Sequence, residues 1–167
     1  MDFHTEQLIK KQKKPVDYLL AALILFGTVV LWTLLLIFLG RLLTIASLLI
    51  LLVGWGAWKL IQGLNVEYEY ELTNHYLDID KIMGRARRKR VISIDFRNAE
   101  QCTYTSAPEF QNTGGIEKTY DLSGDPSAPQ RVFVDFIDDG KRVRVIFRPN
   151  EKIREYIKKA APKVVKL

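Results

Sequence analysis

The chain has 167 residues, with 25 Lys and Arg against 19 Asp and Glu and a single cysteine. That length accommodates about one domain plus an anchor, and one cysteine excludes an intrachain disulfide. From Leu64 onward 19 basic residues stand against 16 acidic ones, a balance of about +3 that is too mild to imply a nucleic-acid partner.

Residues 1–17 read as a basic N-terminal tail in which Lys10, Lys11, Lys13 and Lys14 precede a long apolar block. Phe3, Leu8 and Ile9 suit either a short interfacial helix or a disordered tail. The block covers residues 18–61, and nearly every residue in it is apolar. As one helix it would be about 66 Å long at ~1.5 Å per residue, twice the ~30 Å hydrocarbon core of a bilayer. It is therefore expected to fold back at Gly40-Arg41 into two spans, 18–39 and 42–61. Gly40 is expected to take the left-handed conformation that ends a helix, and Arg41 to snorkel to the far interface. Trp55, Trp58 and Lys59 suit the other interface, whereas Trp32 lies too deep for that belt. The run is too long for a signal peptide, and no small-residue cleavage site follows it. Gly54, Gly56 and Ala57 form a candidate helix-packing surface. The lysines before the first span outnumber Arg41 in the turn. This charge bias predicts a multi-pass protein of the cell membrane with both termini cytoplasmic.

Past residue 64 the pattern changes to alternation. Val66, Tyr68, Tyr70 and Leu72 interleave with Glu67, Glu69 and Glu71, as in a half-buried strand. A turn at Thr73-Asn74-His75 leads to a second strand with Leu77 and Ile79, which Gly84 ends. A basic stretch then runs into a third strand through Ile92, Ile94 and Phe96. Residues 102–106 and 116–122 suggest two more short strands, with Cys102 half-buried in the first. Pro108, Gly114-Gly115 and Gly124-Asp125-Pro126 mark exposed loops. Asp139-Gly140 sits between two β-branched runs, 132–137 and 142–148, and signals a tight hairpin. Asn150 is placed to cap a closing helix with Ile153, Tyr156, Ile157 and Ala160 on one stripe, and Pro162 ends it.

About seven strands and one helix predict a mainly-β domain over residues 64–161, with a short tail at 162–167. The stretch from Tyr70 to Ile94 resembles the opening of bacterial pleckstrin-homology-like domains. The likeness rests on Tyr70, Leu72, Thr73, Leu77, Ile79, Gly84, Arg90, Ile92 and Ile94. It implies a membrane α-helical hairpin joined to a pleckstrin-homology-like antiparallel sandwich or barrel with a C-terminal helix. It implies neither a ligand nor a reaction.

The densest charge in the domain is Arg85, Arg87, Arg88, Lys89 and Arg90. These residues are a candidate contact for anionic lipid headgroups or a protein partner. The competing reading is a solvated edge strand kept from aggregating by its charge. The carboxylates Glu67, Glu69, Glu71, Asp78, Asp80, Asp135, Asp138 and Asp139 lack calcium-loop spacing. With His75 the domain's one histidine, no zinc set or Cys–His dyad assembles from domain residues. Glycine-rich phosphate loops and hydrolase motifs are missing as well. The expectation is a non-enzyme without metal or cofactor. It would be a membrane-anchored binding or scaffolding module or, alternatively, an accessory subunit or homo-oligomer assembled through its spans.

Overall fold

The computed structural model describes residues 3–167, which form two compact units. Met1 and Asp2, the start of the expected tail, lie outside the described residues. One unit comprises residues 12–66 and 83–87, and the other comprises the remainder.

The first unit is built on two helices, α1 (Pro15–Leu39) and α2 (Leu43–Gly63), each long and apolar enough to cross a membrane. Pro15 occupies the first turn of α1, where its missing N–H costs nothing. The Asp17 carboxylate accepts from the Lys14 amide at 2.8 Å, satisfying an otherwise orphaned donor. The turn between the helices falls at Gly40 to Leu42, as expected, but Gly40 is right-handed with φ −60°. Its glycine is required by proximity instead, because a Cβ there would collide with the Leu36 carbonyl oxygen. Thr28, Thr33 and Ser47 donate their hydroxyls to the carbonyls of Ile24, Val29 and Thr44. No apolar surrounding thus meets an unpaired hydroxyl on these three. Trp32 finds its explanation here. Its Nε1 donates to the Ile50 carbonyl at 3.1 Å, and its ring lies where a side chain at residue 54 would be.

The second unit holds two sheets and a helix. The first sheet has the order β1-β2-β3-β4, with β1 (His4–Lys10), β2 (Val66–Thr73), β3 (Tyr76–Met83) and β4 (Arg87–Asp95). The second has the order β6-β8-β7-β5-β9. Its strands are β5 (Ala99–Tyr104), β6 (Lys118–Asp121), β7 (Val132–Asp138), β8 (Lys141–Phe147) and β9 (Val165–Lys166). Asp139 and Gly140 both take positive φ, forming the two-residue turn that joins β7 to β8. After β8 comes α3 (Glu151–Ala160), capped by the Asn150 side chain accepting from the Ile153 amide, with Ile153 and Ile157 buried.

Two of the nine strands among the described residues were not expected. The short β9 pairs parallel with β5. The larger departure is β1, which lies in the segment that suits either a disordered tail or an interfacial helix. Seven residues, His4 to Lys10, pair antiparallel with β2, from His4 opposite Thr73 to Lys10 opposite Glu67. Thr5 and Ile9 lie opposite Leu72 and Tyr68 and are buried with them. Gln7 bonds the Arg148 carbonyl and the Asn150 amide, satisfying backbone groups at the start of α3. Gly124, expected in an exposed loop, is buried with φ +81°. A Cβ on it would meet Ile9 and the Lys10 carbonyl. The domain therefore begins before the apolar helices, which interrupt it between two neighbouring strands.

Tyr70 ties the two sheets together. Its buried hydroxyl donates to the Leu122 carbonyl at 2.6 Å and accepts from the Arg148 amide at 3.2 Å. Its ring meets Phe147 edge-on. Burial pushes the phenol pKa well above its usual value. Tyr70→Phe keeps the ring but strands a carbonyl and an amide. It is expected to lower stability by about 2 kcal/mol, read from the denaturant midpoint of the full chain. An unchanged midpoint would show that the two backbone groups find other partners.

Candidate functional site

The basic run divides where the two units meet in sequence. Arg85 and Arg87 belong to the helical unit, and Arg88, Lys89 and Arg90 to the β unit. The turn joining β3 to β4 carries two consecutive positive-φ residues, Gly84 and Arg85. Gly84 is there because the turn sits on the end of α2. Its amide donates to the Asn65 carbonyl at 2.9 Å, and a Cβ would press on the Gln62 carbonyl. The glycine and its backbone contact thus place Arg85 beside the C-terminal end of the second apolar helix.

In the β unit most of the charge is spent internally. Arg88 Nη2 donates to Glu69 Oε1 at 2.9 Å, and Glu69 is buried. Arg90 pairs with Asp78 at 2.9 Å and with Asp80 at 3.2 Å. The Asp80 hydrogen bond raises the Arg90 pKa, with Asp78 adding to it. Glu69, Asp78 and Asp80 therefore serve as counter-charges within the sheet. Among the described residues, Arg85, Arg87 and Lys89 make no ion pair. All five basic side chains are exposed, and the charge of these three is not neutralised among the described residues.

On the helices, Gly54 is occupied by the chain's own Trp32, with 3.1 Å between the ring and the Cβ position. Gly56 has no described atom within 4 Å of that position, and Ala57 is half-buried. Lys59 reaches over the rings of Trp55 and Trp58, which are both exposed.

The segment between β5 and β7 is mostly exposed, Pro108 and Gly114-Gly115 included, as expected, while Leu122, Ser123, Gly124 and Ala128 are buried. Its 3-10 turn, Pro108–Gln111, is strapped to the outer face of the second sheet. There Arg144 and Asp135 form a bidentate pair with both contacts at 2.7 Å. Arg144 also donates to the carbonyls of Phe110 and Asn112, and Gln101 donates to Asp135. The guanidinium lies over the Phe133 and Phe110 rings. Both charged groups are buried, and the network takes up four of the five guanidinium N–H donors. In the sequence Asp135 stands out only as a carboxylate without calcium-loop spacing, and Arg144 carries no motif. The available signal was Phe133 and Ile146, buried partners on this face that require cover on both sides of the sheet.

Strand β1 also changes the histidine count. His4 joins His75 in the domain, its ring nitrogens 3.2 Å from Thr73 Oγ1 and 3.2 Å from Glu6 Oε1, on the exposed face. Cys102, expected half-buried, is fully buried, and burial pushes its thiol pKa far up. A shallow depression of about 200 Å³ beside β9 mixes Glu100, Glu109, Lys163 and Lys166, smaller than the ~300–1,000 Å³ of small-molecule sites.

Among known proteins, the family model described as bacterial PH-like domain (DUF6106) matches residues 1–167. No curated protein and no solved structure matches.

Proposed function

Since the chain belongs to the bacterial PH-like domain family, we propose that it is a membrane-anchored binding module whose basic turn engages anionic lipid headgroups at its own membrane face. The observation that carries this reading is the seat of Gly84-Arg85 on the end of α2. Where α2 leaves the hydrocarbon, Arg85 and Arg87 stand at headgroup level. Lys11, Lys13 and Lys14 precede α1 at the same end of the hairpin. Each basic residue near an anionic surface contributes ~1 kcal/mol of attraction, and a guanidinium pairs phosphate oxygens in bidentate fashion. Arg88 and Arg90 hold the sheet's own carboxylates and are not counted. The charge bias of the lysines favours a cytoplasmic domain in the cell membrane.

The test is hydrogen exchange on the full chain in nanodiscs of phosphatidylcholine, with or without phosphatidylglycerol. Amides of residues 83–87 are expected to exchange several-fold more slowly with the anionic lipid. Arg85→Glu with Arg87→Glu, or high salt, should erase the difference. Equal exchange in both lipids would overturn the headgroup reading. A second reading, assembly with another membrane protein or a second copy, rests on Gly56, whose face is open among the described residues. It predicts that Gly56→Leu, and not the arginine changes, disperses a larger complex in mild detergent.

A further inference from the structure

We infer that β1 is a topological lock: its pairing with β2 forces both ends of the apolar hairpin onto one membrane face and excludes any arrangement with the N-terminal strand on the other. The inference rests on the membrane-crossing reading above and goes beyond it. The charge bias before α1 only favours one orientation of the first span. It does not tie that orientation to the position of the C-terminal domain. The strand pairing does.

β1 ends at Lys10 and α1 begins at Pro15, while α2 ends at Gly63 and β2 begins at Val66. Everything between Lys10 and its direct partner Glu67 is thus an excursion that leaves the sheet and returns to it. Strands share backbone hydrogen bonds only when they lie ~5 Å apart, so neither strand can be across a bilayer from the other. The joint is also specific. Buried Ile9 fills the space that Gly124 leaves, and the two bonds of Gln7 fix β1 to the start of α3. Register therefore cannot slip by one residue without turning Ile9 outward. The sheet is completed only after the second span has brought the chain back, so the finished domain records that both crossings were made. Orientation then becomes one decision for the whole molecule, with no mixed state.

Two measurements on the full chain in membranes test this. Glu6 and Glu71 are direct cross-strand partners on the exposed face, and such Cα pairs lie within disulfide range. The double variant Glu6→Cys with Glu71→Cys should crosslink quantitatively on mild oxidation of isolated membranes, and no crosslink would overturn the pairing. Leu8→Cys in β1 and Ile137→Cys beside the β7–β8 turn place exposed thiols before and after the apolar hairpin. Native Cys102, buried, stays silent to a membrane-impermeant maleimide. Both thiols should label from the same face, in the natural sequence and with Lys11, Lys13 and Lys14 changed to Gln to weaken the orientation bias. Labelling of the two from opposite faces in either background would refute the lock. Failure of the membrane reading is separable, because the chain would then be stripped from vesicles by carbonate whatever its labelling.

Discussion

A fragment covering residues 64–167 is expected to fail as an independent domain, although it holds every strand that alternation in the C-terminal part of the sequence reveals. Without β1, the inner face of β2 loses the cover of Ile9 and Thr5, and the Arg148 carbonyl and Asn150 amide lose Gln7. Burying one large aliphatic side chain is worth roughly 1.5–3 kcal/mol, and each lost hydrogen bond about 1 kcal/mol. Seven cross-strand pairs go as well. The total is about 5 kcal/mol, comparable with the whole stability of a small domain, ~5–15 kcal/mol. The counterpart that should fold is one in which Lys10 is joined to Glu67 through Asn-Gly, replacing residues 11–66. Lys10 and Glu67 already face each other across the sheet, the position that flanks a two-residue hairpin turn. This second chain is expected to be soluble and to melt cooperatively, while the first aggregates or shows no cooperative transition. Matching melts for the two would mean that β1 contributes nothing.

The difference between these two chains shows what could and could not be read from the sequence. Features decided within a few residues were legible: the Asp139-Gly140 turn, the Asn150 cap, the alternation in β2, and the fold-back near Gly40. Their physics is local, and the residue types demand it. The reason for Gly40 was not legible, because close approach to the Leu36 carbonyl and left-handed φ leave the same trace, a glycine. Strand β1 was hidden for two reasons. Its partner is more than fifty residues away in sequence, and its faces break the apolar alternation, with Gln7 inward and Leu8 exposed. Four nearby lysines also pointed to a solvated tail. The basic run was visible as charge, but charge density alone did not distinguish residues neutralised by the sheet from those left over. That distinction depended on Glu69, Asp78 and Asp80, which lie on other strands.

Substitution of Arg144 by Met is expected to be among the most damaging single changes in the β unit. The pair it forms with Asp135 is buried on both sides, with 2% and 1% of the side chains exposed. Removing the guanidinium leaves a carboxylate in a dry site with only Gln101 to donate to it. The carbonyls of Phe110 and Asn112 are released at the same time. Breaking such a pair from one side costs about 3–5 kcal/mol. Asp135→Asn should cost less, because Arg144 keeps those two carbonyls and the faces of Phe110 and Phe133. The double change, Asp135→Val with Arg144→Met, removes both charges and fills the volume with apolar atoms. It should recover most of the lost stability. The 107–116 loop should nevertheless exchange amide hydrogens faster in the double variant, since the guanidinium was its strap. Denaturant melts of the three variants, with hydrogen exchange on that loop, separate charge burial from loop tethering. If the double variant is as unstable as Arg144→Met, the strap and not the stranded carboxylate sets the cost.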